Sequence, residues 1–276
     1  MLKKSAISLI SYDAKYLPGS IAKYYNYVDE IVLGLDQDRV TWSGNSFSFD
    51  EDALWSELQR IDGDNKISVV EGNFHQAGVA IENDNYERNF LKAQCSNDFI
   101  ISIDADEYLL NAKDFFYNFC PIYERYLGKL DVCMTWAMPY KVVGNNTLVI
   151  VNEDGTPFFG ENQGVVTHRH NTFTYARWSS ISASGANRLQ SPLVSVHWSL
   201  CRTDQELHQK IHNIGHSDIV EKDPFYSIWK DVNETNYSSL RNFKTSGLGG
   251  AQWPKLRSIP SNEVENFYLQ HITGAY

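Results

Sequence analysis

Asp104 and Asp106 are the residues of this 276-residue chain whose types and spacing point most directly to chemistry. They stand in the segment "IISIDADEYLL" (residues 100–110), directly after a run of isoleucines that favours burial. Two carboxylates one residue apart at the end of a strand lie close to one point, which suits Mg²⁺ or Mn²⁺ with phosphate oxygens completing the shell. The same residues also suit an acidic turn that begins a helix over residues 111–127, and the residue types alone leave both interpretations open.

Spacing excludes several other acidic sites. An EF-hand loop beginning at Asp104 needs Gly at its sixth position and Glu at its twelfth, where this chain has Leu109 and Phe115. A phosphatase that forms an aspartyl-phosphate carries its Asp-x-Asp after the first strand, whereas this one follows the fourth predicted strand. A polymerase-like nucleotidyltransferase normally has a Gly-Ser pair before its carboxylates, and none stands here.

Three groups of histidines have spacings that could bind a metal. His208 and His212 have the spacing of a helical zinc pair, but "HQKIH" lacks the Glu that a zinc protease places after the first His. His168 and His170 alternate along a predicted strand, which indicates a surface pair. His197 ends the apolar strand "PLVSVHW" and is either a hydrogen-bonded core residue or a metal ligand.

Alternating strands and helices must position these residues in the first half of the chain. We predict strands over 6–11, 30–35, 66–70 and 98–103, a helix that begins near Asp13 as its N-cap, and a helix over 82–94. This alternation is typical of an α/β fold with a mainly parallel sheet covered on both faces. Ligands of such sheets bind beyond the carboxyl ends of the strands, which is where the polar residues Ser11, Asp36 and Asp104 fall.

The second half of the chain has a less regular pattern. We predict strands over 132–143, 147–151, 172–178 and 193–198, loops over 153–157 and 160–164, and a helix over 204–214. From Ser217 onward Pro, Asn, Gly and Ser accumulate, which predicts irregular structure. We therefore predict a catalytic domain over 1–216 and an irregular C-terminal extension over 217–276 that packs on it.

Three segments resemble glycosyltransferases of the GT-A fold. "NYERNFLKAQCSNDFIISIDADEYL" resembles the central signature of family 2 and its relatives, in which a helix with Arg, Asn and Lys precedes a strand that ends in Asp-x-Asp. "SLISYDAKYLPGSIAKYYNYVDEIVLGLD" is similar to their opening strand, helix and strand. "VHWSLCRTDQELHQKIHNIGHSD" is similar to a C-terminal segment of related transferases, including family 17. The resemblance covers residues 1–110 and about 190–218.

The resemblance implies a Rossmann-like GT-A sheet, a nucleotide-sugar donor, a divalent metal ion (Mn²⁺ or Mg²⁺) and an acceptor hydroxyl. It implies that Asp106 binds the metal directly, that Asp104 contacts the ribose or binds the metal through water, and that His197 completes the metal shell. The nucleotide-binding residues that it implies are Ser11, Asp36, Arg88, Lys92, Asp104 and Lys210. An exposed basic stripe for Arg88 and Lys92, and a strand-end turn for Asp36, remain open alternatives.

The catalytic base has the weakest signal in the sequence. An inverting enzyme needs a carboxylate near the acceptor hydroxyl, and the usual acidic pair of the family has no clear counterpart. Glu161, in "FFGENQG", is our first candidate and Asp154 is the second. If neither serves, a retaining mechanism is favoured, so the stereochemistry stays open.

We therefore expect a metal-dependent glycosyltransferase that moves a sugar from a nucleotide sugar, most simply a UDP-sugar, to a glycan or lipid-linked glycan in surface polysaccharide or lipopolysaccharide synthesis. The alternatives are a metal-dependent sugar-phosphate nucleotidyltransferase and a cation-dependent glycan-binding protein without enzymatic activity. The first would consume a nucleoside triphosphate, and the second would bind glycans without any nucleotide.

Composition limits the partners and the location. The formal net charge of −10 argues against binding to a nucleic-acid backbone, which needs a basic face. No run approaches the ~20 apolar residues of a membrane span, and "MLKKSAISLISYD" is a first strand rather than a signal peptide. Four widely spaced cysteines indicate reduced thiols. We expect a cytoplasmic protein, with peripheral contact at the inner face of the membrane as the alternative.

Overall fold

Thirteen strands are present in the computed structural model, which describes residues 2–220, 222–245 and 250–272. In chain order they are β1 (Lys4–Ile10), β2 (Glu30–Asp36), β3 (Ile67–Gly72), β4 (Phe99–Ser102), β5 (Glu107–Leu109), β6 (Asp131–Ala137), β7 (Pro139–Val143), β8 (Asn146–Val151), β9 (Glu161–His168), β10 (Phe173–Tyr175), β11 (Trp178–Ser179), β12 (Arg188–His197) and β13 (Lys255–Pro260).

Eight of these strands form the central sheet, in the order β3-β2-β1-β4-β9-β6-β12-β5. The pairs β3-β2, β2-β1, β1-β4 and β6-β12 are parallel, while β9 and β5 run antiparallel to their neighbours. Every residue of β1 and β4 is buried, as expected for strands with chain packed on both faces. The predicted α/β fold with a Rossmann-like, mainly parallel sheet is confirmed.

Nine α-helical segments accompany the strands in the described residues. They are α1 (Leu17–Tyr24), α2 (Glu51–Ile61), α3 (Ala80–Gln94), α4 (Ala112–Asp114), α5 (Cys120–Tyr123), α6 (Asp204–Ile211), α7 (Ser217–Val220), α8 (Phe225–Asp231) and α9 (Val264–Leu269). A π-helical turn, Phe115–Phe119, joins α4 to α5. No helix in the described part of the chain is long and apolar enough to cross a membrane.

Local sequence signals explain where the main helices begin. Pro18 occupies the first turn of α1, where its missing N–H leaves no hydrogen bond unmade. Thr203 and Glu206 form a capping box at the start of α6, each side chain accepting from the backbone N–H of the other. This cap fixes the start of the helix that carries Lys210, so it positions a residue predicted to bind the nucleotide.

Three predictions about the second half were wrong. The predicted strand over 172–178 is a short hairpin of β10 and β11. The predicted strand over 132–143 is divided at Met138 into β6, in the central sheet, and β7, which joins β8 and β13 in a separate three-stranded sheet. The predicted loop over 160–164 is largely the first part of β9. Gly164 indicates the reason, because a Cβ there would lie 2.6 Å from the Arg177 carbonyl oxygen. This glycine permits a close approach of two backbones rather than a turn.

The C-terminal extension contains more regular structure than its composition predicted. Within it, β13 pairs antiparallel with β8 along all six of its residues. A second core forms where the buried Phe225, Trp229 and Trp253 of the extension pack with Tyr140 of β7. Of the extension, residues 221, 246–249 and 273–276 lie outside the described residues, as does Met1 of the predicted catalytic domain. All four cysteines are buried and free.

Candidate functional site

Glu107 organises the Asp-x-Asp loop that follows β4. The backbone N–H of Asp104 donates to Glu107 Oε2 (3.0 Å), which closes the loop on itself. Arg177 binds the same carboxylate through two hydrogen bonds, Nη1 to Oε2 (2.7 Å) and Nη2 to Oε1 (2.5 Å), and Trp136 Nε1 donates to Oε1 (2.7 Å). Both charged side chains are almost completely buried. Glu107 therefore holds the loop that carries Asp104 and Asp106 in place.

Asp104 is paired with an arginine of the preceding helix. Arg88 Nη2 lies 2.9 Å from Asp104 Oδ1, and the same guanidinium donates to Asp84 Oδ1 (2.5 Å) and Ser102 Oγ (3.0 Å). Burial opposes ionisation of Asp104, but Arg88 and Arg177 outweigh it and lower its pKa to about 2. Asp104 is therefore a carboxylate at neutral pH. The proposed basic stripe on α3 is not exposed, because Arg88 is buried.

Asp106 is surrounded by cationic groups from the second half of the chain. Its Oδ2 accepts from Arg202 Nη2 (2.5 Å) and from Lys210 Nζ (2.7 Å), and its Oδ1 lies 3.5 Å from His197 Nε2. Burial favours the neutral acid, yet Lys210, His197 and Arg202 beside the carboxylate hold the pKa of Asp106 well below its usual range. The structure thus brings His197 and Lys210 to the acidic strand end, as the sequence predicted.

Asp13 joins this cluster from the end of β1. Arg202 Nη2 lies 3.0 Å from Asp13 Oδ2, and Lys210 Nζ lies 3.7 Å from the same oxygen. The prediction that Asp13 caps a helix was wrong, since its side chain makes no capping hydrogen bond. It pairs with Arg202 instead.

The donor atoms predicted to bind Mn²⁺ or Mg²⁺ are of suitable types, but their arrangement does not fit the ion. Asp106 uses one oxygen for Arg202 and Lys210, and Asp104 faces Arg88. Within residues 2–220, 222–245 and 250–272, no group of three or more His, Cys, Asp or Glu side chains could hold a metal ion. His197 Nδ1 is buried and has no hydrogen-bond partner among the described residues, so nothing there fixes its tautomer as a ligand would require.

The other predicted nucleotide-binding residues have different environments. Asp36 Oδ1 accepts from the backbone N–H groups of Asp38 and Val40 (both 3.0 Å), and Oδ2 accepts from that of Phe74 (2.8 Å). Its carboxylate thus organises the turn after β2, the alternative that the sequence left open, although Asp36 also lines the cavity described next. Lys92 does not line that cavity. Its amino group donates to the Asn171 carbonyl, and burial lowers its pKa to about 8.

A cavity of about 290 Å³ opens at these strand ends. Its lining includes the predicted donor-site residues Ser11, Asp36, Arg88, Asp104, Asp106, His197 and Lys210. It also includes Trp136, Met138, Glu161, Gln163, Lys244 and Trp253.

The two candidate catalytic bases lie in different places. Glu161 lines the cavity and forms an ion pair with Lys244 of the C-terminal extension, whose side chain is 3% exposed. Asp154 lies in an exposed turn and does not line the cavity. Its carboxylate accepts from the Thr156 hydroxyl and backbone N–H, which lowers its pKa. Of the two candidates, only Glu161 lines the cavity that Asp106 also lines.

Sequence reasoning missed several residues of this cluster. Arg202 stands between His197 and the Thr203 capping box, so its place five residues after His197 was a usable signal. Arg177 lies in the predicted strand over 172–178 and Lys244 in the predicted irregular extension, and neither belongs to a motif that would have singled it out.

No protein-family model and no curated protein matches the chain. Among solved structures, Staphylococcus aureus TarS 1–349 in complex with UDP-GlcNAc is 19% identical, with a TM-score of 0.32 over 52% of this chain and 36% of that chain. S. aureus TarS is 13% identical, with a TM-score of 0.36 over 87% of this chain and 45% of that chain. HddC from Yersinia pseudotuberculosis is 10% identical, with a TM-score of 0.35 over 71% of this chain and 93% of that chain. The chain thus spans less than half the length of both TarS structures. These likenesses are too low to identify a family or a substrate.

We predict that Glu107→Gln lowers the free energy of unfolding by about 3–5 kcal/mol, because it leaves the buried Arg177 guanidinium without its counter-charge. Urea unfolding measures the change. The control is Glu57→Gln, which removes a carboxylate from the exposed pair with Arg60 and should cost about 0–1 kcal/mol. A loss for Glu107→Gln no larger than that of the control would show that the pair does not hold the loop.

The buried Glu87 of α3 should make the free energy of unfolding depend on pH. Its side chain accepts from Trp42 Nε1 (2.7 Å), and burial raises its pKa from 4.5 to about 8. The folded protein therefore binds this proton more tightly than the unfolded chain does. The contribution is fully present below about pH 4.5 and is lost as the pH rises toward about 8. Between those values the wild type should lose more unfolding free energy than Glu87→Gln, as measured by urea unfolding across that range.

The control for this comparison is Glu82→Gln, an exposed carboxylate on the same helix, which should keep the wild-type pH profile. Asp36, Asp84 and Arg88 also act on Glu87, but they are common to all three proteins. Parallel profiles for the wild type and Glu87→Gln would contradict the prediction.

Proposed function

We propose that this chain is a glycosyltransferase that moves a sugar from a nucleoside-diphosphate sugar to an acceptor hydroxyl. One observation carries the proposal: the cavity at the carboxyl ends of β1, β2 and β4 is lined by the Asp-x-Asp residues with the cations Arg88 and Lys210, and also by the carboxylate of Glu161. This is the edge at which sheets of this kind bind ligands.

The cations suit the departure of a diphosphate. Transfer leaves negative charge on the oxygen that departs from the sugar, and prepositioned positive groups in a site shielded from water stabilise that charge. Lys210 is the cation best placed for it, since its side chain lines the cavity while its amino group is held by Asp106. Arg202 and Arg88 hold the two acidic residues in place behind it.

Glu161 suits the removal of the acceptor proton. Lys244 pairs with its carboxylate and also lines the cavity, so the Glu161 side chain is held in the lining. Trp136, which is half-buried, lines the cavity as well, and an aromatic face with polar neighbours is a suitable surface for a sugar ring. Asp154 stays the second candidate for the base.

The finer features stay predictions. They are a UDP-sugar as donor, a glycan or lipid-linked glycan as acceptor, a role in surface polysaccharide or lipopolysaccharide synthesis, and a cytoplasmic location with contact at the inner face of the membrane. They rest on the resemblance of the sequence segments. The resemblance also implies Mn²⁺ or Mg²⁺ as cofactor, which the arrangement of Asp104 and Asp106 does not fit.

Nucleotide binding is the first test. In a thermal-shift panel of UDP, GDP, CMP and dTDP, each with Mn²⁺, one nucleoside diphosphate should raise the melting temperature, and we expect UDP. A ligand at a hundred times its Kd adds about 2.7 kcal/mol to the free energy of unfolding. If no nucleotide stabilises the protein but a glycan does, the chain is a glycan-binding protein. If turnover consumes a nucleoside triphosphate and releases pyrophosphate, it is a nucleotidyltransferase.

We predict that Glu161→Gln lowers kcat by about 10²–10⁴-fold, the usual contribution of a general base, and leaves the Kd for the nucleotide unchanged. The rate is measured by mass spectrometry as the formation of glycosylated acceptor. Asp154→Asn is the matched control and should retain full activity. The opposite result, with Asp154→Asn inactive and Glu161→Gln active, would transfer the role to Asp154.

A further inference from the structure

At each of the two carboxylates that a divalent ion would use, one oxygen is already in contact with protein cations. Asp106 Oδ2 is shared by Arg202 Nη2 and Lys210 Nζ at 2.5 and 2.7 Å. Asp104 Oδ1 lies 2.9 Å from Arg88 Nη2. A metal ion that approached either carboxylate would meet these fixed charges of its own sign at short range, where electrostatic repulsion is strongest.

Arg202 is held in this position by contacts on several sides. Its side chain is 1% exposed, its Nε donates to the Ser199 carbonyl (3.1 Å), and its guanidinium lies over the Tyr16 ring at 4.7 Å. It also pairs with Asp13. Burial alone would lower the pKa of Arg202, but Asp106 and Asp13 outweigh it and raise the pKa. The positive charge that Arg202 places against Asp106 is therefore permanent and built into the fold.

Lys210 has a fixed backbone position and an accessible side chain, both of which a phosphate-binding group needs. Its backbone belongs to α6, whose start is fixed by the Thr203 and Glu206 capping box. Its side chain is 12% exposed and lines the cavity. An ammonium group has three donors, so Lys210 can keep its hydrogen bond to Asp106 and offer the others to a phosphate oxygen.

We infer that the site binds the donor diphosphate and neutralises its leaving charge with Lys210, backed by Arg202 and Arg88, and needs no divalent ion to do so. This inference rests on the proposed function. In the transfer, the bond between the anomeric carbon and the β-phosphate oxygen breaks, and that oxygen keeps the electron pair as the nucleoside diphosphate leaves. The acceptor oxygen forms the new bond to the anomeric carbon, and its proton goes to Glu161.

The test measures nucleotide affinity, so it does not depend on turnover. Calorimetry gives the Kd of the full chain for UDP, or for the nucleoside diphosphate that the thermal-shift panel selects, in EDTA and in excess Mn²⁺. The variants are Lys210→Gln, which removes the charge, and Lys210→Arg, which keeps it. The control is Lys230→Gln, which removes the same charge from an exposed position on α8. Circular dichroism shows whether each variant is folded.

We expect the wild-type Kd in EDTA and in Mn²⁺ to agree within about twofold, since no metal contributes to binding. Lys210→Gln should weaken binding by about tenfold or more in both buffers, the usual loss of a hydrogen bond to a charged group. Lys210→Arg and Lys230→Gln should stay within a few-fold of the wild type.

Three results would count against the inference. Binding that appears only with Mn²⁺, or that Mn²⁺ tightens by more than about tenfold, overturns it but leaves the nucleotide site intact. An unchanged affinity of Lys210→Gln overturns the role of Lys210. No binding of any nucleoside diphosphate in either buffer overturns the proposed function itself, and the inference with it. The comparison of buffers needs only the wild-type protein, so a misfolded variant does not affect it.

Discussion

The buried ion pair of Glu107 with Arg177 is the interaction on which the cavity depends. It ties the loop after β4 to the hairpin of β10 and β11, and the same carboxylate accepts the backbone N–H of Asp104 and the indole N–H of Trp136. Arg177 also donates to the Ser102 carbonyl at the end of β4. Because a buried charge is costly without its partner, the fold can retain Glu107 only with the loop in this one conformation. Asp104 and Asp106 therefore face the cavity in a fixed arrangement.

The donor side of the cavity could be predicted from the sequence because its signals are local. Apolar runs that end in polar residues, at β1, β2 and β4, identify the carboxyl edge of the sheet without knowledge of any long-range contact. That His197 and Lys210 lie at the same edge was predicted from the resemblance of a segment and not from spacing. Both lie against Asp106 in the structure.

The charged residues that complete the cluster could not be predicted in the same way. Arg177 and Lys244 belong to no motif, and each gains its role only when folding brings it to a partner far away in the chain. Glycine was misleading for a related reason. Gly164 was interpreted as part of a loop, although what it provides is room for the neighbouring backbone within a strand. Composition records that a side chain is absent, but not which neighbour needs the space.

The cavity lining is encoded by separate stretches of the chain. The residues around the Asp-x-Asp motif come mostly from the first 106 residues and from the segment around α6, Glu161 comes from β9 of the central sheet, and Lys244 and Trp253 come from the C-terminal extension. The extension is held by the pairing of β13 with β8 and by a core that includes Leu207 and Ile211 of α6. In evolutionary terms the pocket is therefore not modular, because a change in the packing of the extension also reaches the helix that carries Lys210.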